Sequence, residues 1–356
     1  MPKKIFFLTL SLIKGGAENQ LVKLAVNLKS QENEVKIIAL FPDNDFSEVL
    51  SFNKISYQLI SFNNIFSLFR VLSFFRKNRP DVIISFMYGA NVIGRFVKLF
   101  LSIPLITSVR NNEIDKKFYY LYKLTHRIDS VTTFNSSYSL KKFIREKLTI
   151  KSRSFLVNNS ISLPEEDYVI ENKDSSVFRL LSMAHFRPQK DYRTLLKACK
   201  ILKDRKRHVK LYVLGHLYDE KWPFELIEEY GLQSNVEIHG FVNSPLKFIR
   251  KSNAVVLSSL WEGTPNALLE GMANKLPVIS SEIPGCKELV ESSNSGLLFK
   301  VKNEEDLADK IEELMDMKDS EVHQLGSNGY NHILEYYTPE KVYSKWDEII
   351  NIAITK

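Results

Sequence analysis

Two successive runs of alternating strand and helix patterns most constrain the fold of this chain. The first begins with the apolar segment 5–10 and ends near residue 157, and the second starts at residue 178. Short apolar strands that alternate with amphipathic helices predict parallel sheets covered by helices on both faces. Residues 162–176, between the runs, contain proline and acids with little periodicity, which indicates a domain boundary. We therefore predict two doubly wound α/β domains that face each other across a cleft.

The length supports this division, because 356 residues exceed the size at which a single hydrophobic core usually stops growing. The first domain is predicted to cover residues 1–165 and the second residues 166–336. Thr338 and Pro339 then suit the cap and the first position of a helix, and an amphipathic segment follows. We predict a C-terminal helix over residues 337–356 that packs on the first domain.

Composition excludes several classes of protein. No run of 18 or more uncharged apolar residues occurs, so we expect no membrane span. Lys3 and Lys4 precede an apolar run as in a secretion signal, but no small-residue cleavage site follows, and the run is predicted to be the first strand. Cys199 and Cys286 lack metal-type spacing, which is typical of incidental thiols in a reducing cytoplasm.

The charge is unevenly distributed between the two predicted domains. Residues 1–165 contain 24 Lys and Arg against 12 Asp and Glu, and the remainder contains 25 against 30. The net charges are therefore +12 and −5, within a total of +7. A basic domain attracts polyanions, whether nucleic acid, anionic lipid head groups or a phosphate-bearing acceptor.

Residues 261–270, which follow a predicted buried strand at 255–257, combine features of a ligand site. Thr264 and Pro265 suit the cap and the first helical position of a helix, whose N-terminal amides attract anions. Glu262 and Glu270 offer carboxylates, which accept strong hydrogen bonds from hydroxyl groups. Amides for phosphate and carboxylates for hydroxyls together favour a nucleotide-linked sugar. Ordinary solvated glutamates are the alternative interpretation of the same spacing.

Further short motifs follow in order along the chain. They are Gly15-Gly16-Ala17-Glu18, Asn159, residues 185–191, Gly240-Phe241, residues 262–270 and residues 283–288. In this order and spacing the chain resembles the retaining glycosyltransferases of family 4 over nearly its whole length. The resemblance implies the GT-B fold, with two facing Rossmann-like domains that bind acceptor and donor respectively. It also implies transfer of a hexose or N-acetylhexosamine from a nucleotide sugar, a UDP-sugar by preference, with retention of anomeric configuration.

The resemblance also assigns roles to individual residues. Lys190 and Glu262 are the expected catalytic residues, Lys190 as a charge on the diphosphate and Glu262 as an acceptor from sugar hydroxyls. Glu270 is expected to bind the ribose hydroxyls, and Gly240-Phe241 to lie near the base. The full set implied to bind the donor is His185, Arg187, Gly240, Phe241, Thr264, Pro265, Asn266, Ala267, Leu268, Glu270, Gly285 and Glu288.

The sequence departs from the family pattern at two places. His185 stands where arginine is usual, and either His185 or Arg187 could replace that arginine in binding phosphate. The histidine common near the end of a first-domain strand is absent, and Arg110 and Asn111 lie in that region. Together with Gly15 and Gly16, these residues are predicted to contact the donor phosphates or the acceptor. A plain tight turn is the alternative for the glycine pair.

No metal-binding pattern is visible in the sequence. Asp43-Asn44-Asp45 has the Asp-x-Asp spacing, but it lies early in the first domain, where the resemblance places no donor. Charge on the diphosphate is expected to be offset by Lys190 and a helix N-terminus instead. We predict that the chain needs no metal and no cofactor beyond the nucleotide-sugar co-substrate.

Basic and aromatic residues interleave in three first-domain stretches, at 66–77, 95–100 and 116–123. Such helices can lie on anionic membranes, although packing of their apolar residues on the sheet is the alternative for each. We predict a cytoplasmic protein at the inner face of the membrane, acting on a polyprenyl-diphosphate-linked saccharide in surface polysaccharide or glycoconjugate synthesis. The alternatives are a UDP-sugar epimerase of the same fold and a non-catalytic membrane- or nucleic-acid-binding protein, although no nucleic-acid module is recognisable.

Overall fold

The computed structural model describes residues 2–114, 116–164 and 176–355, without the side chains of residues 116–118. These residues form two compact units. Unit 1 comprises the described residues up to Ser160 and those from Pro339 onward, and unit 2 comprises those from Ile161 to Thr338. The chain thus changes unit a few residues away from the predicted boundaries at 165 and 336. Most of the predicted boundary segment, residues 165–175, lies outside the described residues.

Unit 1 is built on a seven-stranded parallel sheet in the order β3-β2-β1-β4-β5-β6-β7. Its strands are β1 Lys4–Thr9, β2 Glu34–Ala39, β3 Ser56–Leu59, β4 Val82–Phe86, β5 Leu105–Val109, β6 Val131–Phe134 and β7 Ser154–Leu156. Its helices are α1 Gly16–Ser30, α2 Ser47–Phe52, α3 Ser67–Lys77, α4 Tyr88–Leu101, α5 Lys116–Thr125 and α6 Ser137–Arg145. Every residue of β4 is buried, as expected of a central strand with helices on both faces.

Unit 2 is built on a six-stranded parallel sheet in the order β10-β9-β8-β11-β12-β13. Its strands are β8 Phe178–Met183, β9 Val209–Leu214, β10 Val236–Ile238, β11 Ala254–Leu257, β12 Val278–Ser281 and β13 Gly296–Phe299. Its helices are α7 Tyr192–Asp204, α8 Trp222–Glu229, α9 Leu246–Lys251, α10 Asn266–Ala273, α11 Pro284–Ser293, α12 Glu304–Asp316 and α13 Asp319–Tyr336. The predicted pair of doubly wound parallel sheets is confirmed.

The last helix of the chain, α14 Pro339–Thr355, belongs to the core of unit 1. Its buried face carries Trp346, whose ring stacks 6.2 Å from that of Phe86 at the end of β4. Ile349 and Ile350 complete this face, so α14 covers the same side of the sheet as α1. The chain therefore leaves unit 1 after Ser160 and returns to it at Pro339.

Unit 1 also contains a buried ion pair between Arg95 on α4 and Asp129 before β6. Two guanidinium nitrogens donate to the two carboxylate oxygens, Nε at 2.8 Å and NH2 at 2.7 Å. Thr107 and Thr132 donate to the same carboxylate, and the guanidinium lies 3.8 Å from the ring centre of Tyr122. Arg95 is 0% exposed, so the prediction that it provides a surface cation in a membrane-facing stretch is wrong.

Both cysteines are free and buried, at positions away from the unit surfaces. Burial raises the pKa of the Cys199 thiol and of the Cys286 thiol to about 12. Each therefore remains a neutral thiol at physiological pH.

Candidate functional site

The carboxyl ends of β8 and β11 form the point in unit 2 where the strand order reverses. Neighbouring strands there send their following segments to opposite faces of the sheet, which leaves a crevice at the carboxyl edge. The segment after β8 contains Lys190, and the segment after β11 contains Glu262. Topology therefore brings together the two residues predicted to be catalytic, although 72 residues separate them in sequence.

Lys190 and Glu262 form an ion pair between Nζ and Oε1. The side chains are 21% and 12% exposed, so the pair is partly shielded yet reachable from solvent. Main-chain contacts fix the two segments to each other, since the Leu260 amide donates to the Gln189 carbonyl at 2.8 Å. The Gln189 side chain also donates to the Trp261 carbonyl at 2.6 Å. The ammonium and the carboxylate are consequently held at one point of the crevice.

His185 lies at the start of the same segment, with its ring turned toward the loop after β9. The backbone amide of His216 donates to its Nδ1 at 3.0 Å. Because Nδ1 accepts this bond, the neutral ring carries its proton on Nε2. The ring centroids of His216 and Tyr218 lie 5.1 Å and 5.9 Å from the ring centroid of His185. An imidazole whose Nδ1 accepts from a backbone amide thus stands where the family usually has arginine.

Arg187 contacts the same loop at Tyr218. Its NH2 donates to the Tyr218 hydroxyl at 3.0 Å, and the guanidinium carbon lies 5.4 Å from the ring centre. Arg187 and His185 are therefore neighbours around one tyrosine. His216 and Tyr218 carry no sequence motif, and only the fold reveals that they support both residues.

The predicted base-binding residues, Gly240 and Phe241, also belong to this cluster. Gly240 has a φ of +67°, a conformation that favours glycine, and its carbonyl accepts from the Gly215 amide at 2.8 Å. The Phe241 ring stacks on that of His216 with centroids 4.9 Å apart and planes 7° apart. Because Phe241 is 37% exposed, its ring offers a flat apolar surface at the carboxyl edge of the sheet.

Helix α10 begins one residue later than predicted. Pro265, with ψ of 120°, is extended and occupies the N-cap position, and Asn266 is the first helical residue. The prediction that Thr264 is the capping residue is therefore wrong. Glu270 lies one turn after Asn266 on the same face, at intermediate exposure. Leu268 is fully buried in the unit 2 core, which leaves only its backbone for a ligand.

Gly285 lies in the first turn of α11, directly against the Glu262 segment. A Cβ atom on Gly285 would lie 1.7 Å from the Gly263 carbonyl oxygen and 2.6 Å from that of Glu262. Only glycine permits this approach, which brings the start of α11 to the crevice. Glu288 follows one turn later on the same helix, which starts at Pro284. Ala267, Gly285 and Glu288 thus all belong to helix starts at the carboxyl edge.

In unit 1, the predicted glycine pair lies between β1 and α1. Gly15 is the extended N-cap residue of α1, and its carbonyl accepts from the Asn19 amide at 2.9 Å. Asp45 stabilises the loop before Gly15, because its carboxylate accepts a hydrogen bond from the Lys14 amide at 2.8 Å. The Asp43-Asn44-Asp45 segment is thus engaged in holding a loop. Within residues 2–114, 116–164 and 176–355, no group of three or more potential metal ligands occurs.

Arg110 is directed into unit 1, at the carboxyl end of β5. It donates to the Ser108 hydroxyl at 2.8 Å and the Asn159 side chain at 3.1 Å. Its guanidinium carbon lies 5.0 Å from the ring centre of Phe86 and 5.7 Å from that of Trp346. Burial lowers the pKa of the Arg110 guanidinium to about 9, which still leaves it charged at neutral pH. Arg110 is 8% exposed. It chiefly connects the carboxyl ends of β4 and β5 to helix α14.

Asn111 follows Arg110 at the edge of the same sheet. Its carbonyl accepts from the Tyr88 hydroxyl at 2.5 Å. Its side-chain oxygen is buried without a hydrogen-bond partner in the part of the chain that the structure describes. Tyr88 opens the helix after β4, so Asn111 connects the ends of two neighbouring strands.

The sequence matches two models of glycosyltransferase families. The model described as Glycosyltransferase Family 4 matches residues 14–163, and the model described as Glycosyl transferases group 1 matches residues 165–332. The two matches follow each other along the chain and cover most of both units. They agree with the family resemblance of the sequence motifs.

Two relatives with matching sequences are also named as glycosyltransferases. An uncharacterised glycosyltransferase of Methanocaldococcus jannaschii, MJ1059, is 28% identical over 67% of this chain. The N-acetylgalactosamine-N,N'-diacetylbacillosaminyl-diphospho-undecaprenol 4-alpha-N-acetylgalactosaminyltransferase of Campylobacter jejuni is 25% identical, also over 67%. Each match spans 65% of the relative's own length.

A crystal structure of Anabaena HepE in complex with UDP and glucose has a TM-score of 0.86 and 19% identity. The match covers 98% of this chain and 99% of that chain, so the fold extends through both units. The likeness to HepE shows the GT-B fold, and the two family models show that the chain belongs to the glycosyltransferases of family 4 and group 1.

Proposed function

We propose that this chain transfers a hexose or N-acetylhexosamine from a UDP-sugar to a lipid-linked saccharide, with retention of anomeric configuration. The observation that supports it best is the Lys190–Glu262 pair at the strand-order reversal of unit 2. An ammonium beside a carboxylate can serve the two parts of a nucleotide sugar, its diphosphate and its hydroxyls. HepE, which shares the fold, has been crystallised with UDP and glucose, and this makes UDP the first nucleotide to test.

In the proposed reaction, Lys190 offsets the charge that develops on the departing diphosphate. The bond between the anomeric carbon and the β-phosphate oxygen breaks while the acceptor oxygen bonds to the same face of the sugar. The acceptor's proton passes to the leaving phosphate, so neither Glu262 nor Glu270 has to carry it. Glu262 accepts from sugar hydroxyls and Glu270 from ribose hydroxyls, since ionised carboxylates are strong acceptors. Preorganised charge is the principal catalytic factor in such a site.

The proposal includes activity without a divalent metal. Lys190 and the amides at the starts of α10 and α11 supply positive charge at the crevice. Transfer should therefore continue in excess chelator. Activity that disappears in chelator and returns with magnesium would contradict this part of the proposal.

The donor can be tested without knowledge of the acceptor. UDP and UDP-sugars are expected to raise the melting temperature, because a ligand at 100 times its Kd stabilises the native state by about 2.7 kcal/mol. GDP, ADP and their sugars, assayed in parallel at the same concentrations, should give much smaller shifts. Protection by GDP or ADP alone would contradict the choice of donor. Epimerised UDP-sugar formed without any acceptor would favour the epimerase alternative.

We further propose that unit 1 binds the cytoplasmic surface of an anionic membrane, where a polyprenyl-linked acceptor would lie. Large apolar side chains are exposed on three successive helices: Phe66 and Phe69 at α3, Phe100 at the end of α4, and Tyr120 and Leu124 on α5. Helix α4 packs against both α3 and α5, so they form one layer. No helix in the described ranges is both long and apolar enough to span a bilayer.

Cations accompany these apolar side chains. Arg70, Arg76 and Lys77 on α3 are exposed, and Lys123 lies on α5. Apolar side chains beside cations are the combination that binds the interface of an anionic bilayer. The Campylobacter relative, whose name specifies a diphospho-undecaprenol substrate, gives further support for a lipid-linked acceptor.

Vesicle binding should depend on the aromatic residues at the start of α3. The test uses vesicles of equal parts phosphatidylglycerol and phosphatidylcholine. The affinity of the double variant Phe66→Ser/Phe69→Ser for these vesicles is expected to fall about tenfold or more, because two exposed rings no longer enter the interface. Co-sedimentation measures this. Phe224→Ser, at an exposed ring on α8 of unit 2, is the matched control and should bind as the wild type does. Equal binding by all three proteins would argue against this surface.

A further inference from the structure

Three buried serines lie directly behind the Lys190–Glu262 pair in unit 2. Ser258 and Ser259 follow β11, and Ser281 ends β12. Ser259 and Ser281 are 0% exposed, and Ser258 is 3% exposed. Because none of them can reach a ligand from these positions, any effect on the reaction must be transmitted through the residues they hold.

Each serine hydroxyl donates to a different part of the site. Ser258 donates to the Lys190 carbonyl at 2.8 Å, which fixes the main chain that carries the ammonium. Ser259 donates to Glu262 Oε1 at 2.7 Å, and Ser281 donates to the Ser259 carbonyl. Ser259 therefore holds the carboxylate, while Ser281 holds the backbone of Ser259.

Ser259 and Lys190 donate to the same oxygen of Glu262. If Lys190 binds a diphosphate, its ammonium interacts less strongly with this oxygen of Glu262. The Ser259 hydroxyl stays, because its short side chain is enclosed and its backbone is fixed. It can therefore keep the carboxylate in the same orientation whether or not Lys190 is occupied by a ligand.

We infer that Ser259 is a positioning residue that keeps Glu262 aligned with the donor sugar when Lys190 engages the diphosphate. This inference rests on the proposed function, in which Glu262 accepts from sugar hydroxyls. Ser259 has no contact with the nucleotide in this arrangement. Its loss should weaken recognition of the sugar and leave recognition of UDP intact.

The test compares Ser259→Ala with wild type for binding of three probes: UDP, UDP-glucose and UDP-N-acetylglucosamine. Isothermal titration calorimetry is expected to show UDP affinity within about twofold of wild type. Affinity for the UDP-sugar that wild type prefers should fall about tenfold, in the range of a hydrogen bond to a charged group. A merely structural serine would change all three affinities together or none.

Two further variants distinguish loss of the sugar contact from a general effect of removing a buried serine hydroxyl. Glu262→Gln should show the same pattern as Ser259→Ala, since both disturb the sugar contact. Ser293→Ala removes another buried serine hydroxyl of unit 2, at the far end of α11, and should leave all affinities unchanged.

Each result then bears on a different claim. Wild-type protein that fails to bind UDP contradicts the proposed function itself. A UDP-sugar affinity lowered by Glu262→Gln but not by Ser259→Ala overturns the inference about Ser259 alone. Equal losses for UDP and UDP-sugar in Ser259→Ala would also overturn it, because the nucleotide would then depend on Ser259.

Discussion

Replacement of Lys190 by alanine is expected to lower turnover about 100- to 1,000-fold. The ammonium lies at the crevice beside Glu262, and removal of one preorganised hydrogen-bond donor to a developing negative charge commonly has an effect of this size. The carboxylate of Glu262 would also lose its counter-ion at that point and would repel a diphosphate. Both effects act in the same direction, so donor binding should weaken as well.

Initial rates with the UDP-sugar that protects best against unfolding would measure this effect. Lys197→Ala is the matched control, because Lys197 lies on α7 with its ammonium paired to Glu304 and about half exposed. It should retain wild-type turnover. Lys190→Arg should recover only part of the activity, since a guanidinium is larger and differs in geometry from an ammonium. Near-normal turnover of Lys190→Ala would remove Lys190 from the site.

The second large effect concerns stability. Asp129→Ala is expected to lower the free energy of unfolding by about 3–5 kcal/mol, because it leaves the fully buried Arg95 guanidinium without its carboxylate. Urea denaturation followed by circular dichroism would measure the change. As a control, Lys345→Ala breaks an exposed pair with Glu348 and should change stability by no more than about 1 kcal/mol.

The double variant Arg95→Met/Asp129→Leu separates two explanations of that loss. If the cost arises from the uncompensated charge, the apolar pair should recover most of the stability, as buried ion pairs often can be replaced by apolar residues of similar volume. If packing around Tyr122 is responsible, the double variant should be as unstable as Asp129→Ala. Stability of Asp129→Ala close to wild type would show that the pair adds little.

Much of the fold follows from sequence periodicity. The strands are short apolar runs, and the central one in unit 1, β4, is buried on both faces, which is why they were recognisable. Sequence periodicity does not indicate helices α2 and α13. Helix α2 has only six residues, and in α13 just Gly326, Gly329 and Ile333 are buried, so neither has a strong apolar stripe.

The site was predictable only where a residue belongs to a motif. Lys190 and Glu262 are candidates from the sequence alone because each follows a strand within a recognisable pattern, and the structure places them together. Ser259 could not, since serine occurs commonly in loops and only the hydrogen bond to Glu262 distinguishes it. The prediction for Arg95 is wrong for a related reason. Its partner Asp129 lies 34 residues away, and no local pattern reveals such a pairing.

The return of α14 to the core of unit 1 has a consequence for biosynthesis. During translation, all of unit 2 emerges from the ribosome before residues 339–355 are available. Until then, the sheet face around Phe86 and Ile84 lacks the cover that Trp346 and Ile349 provide. Unit 2 can complete its core before α14 covers the sheet of unit 1, so unit 1 is expected to reach its native structure after unit 2.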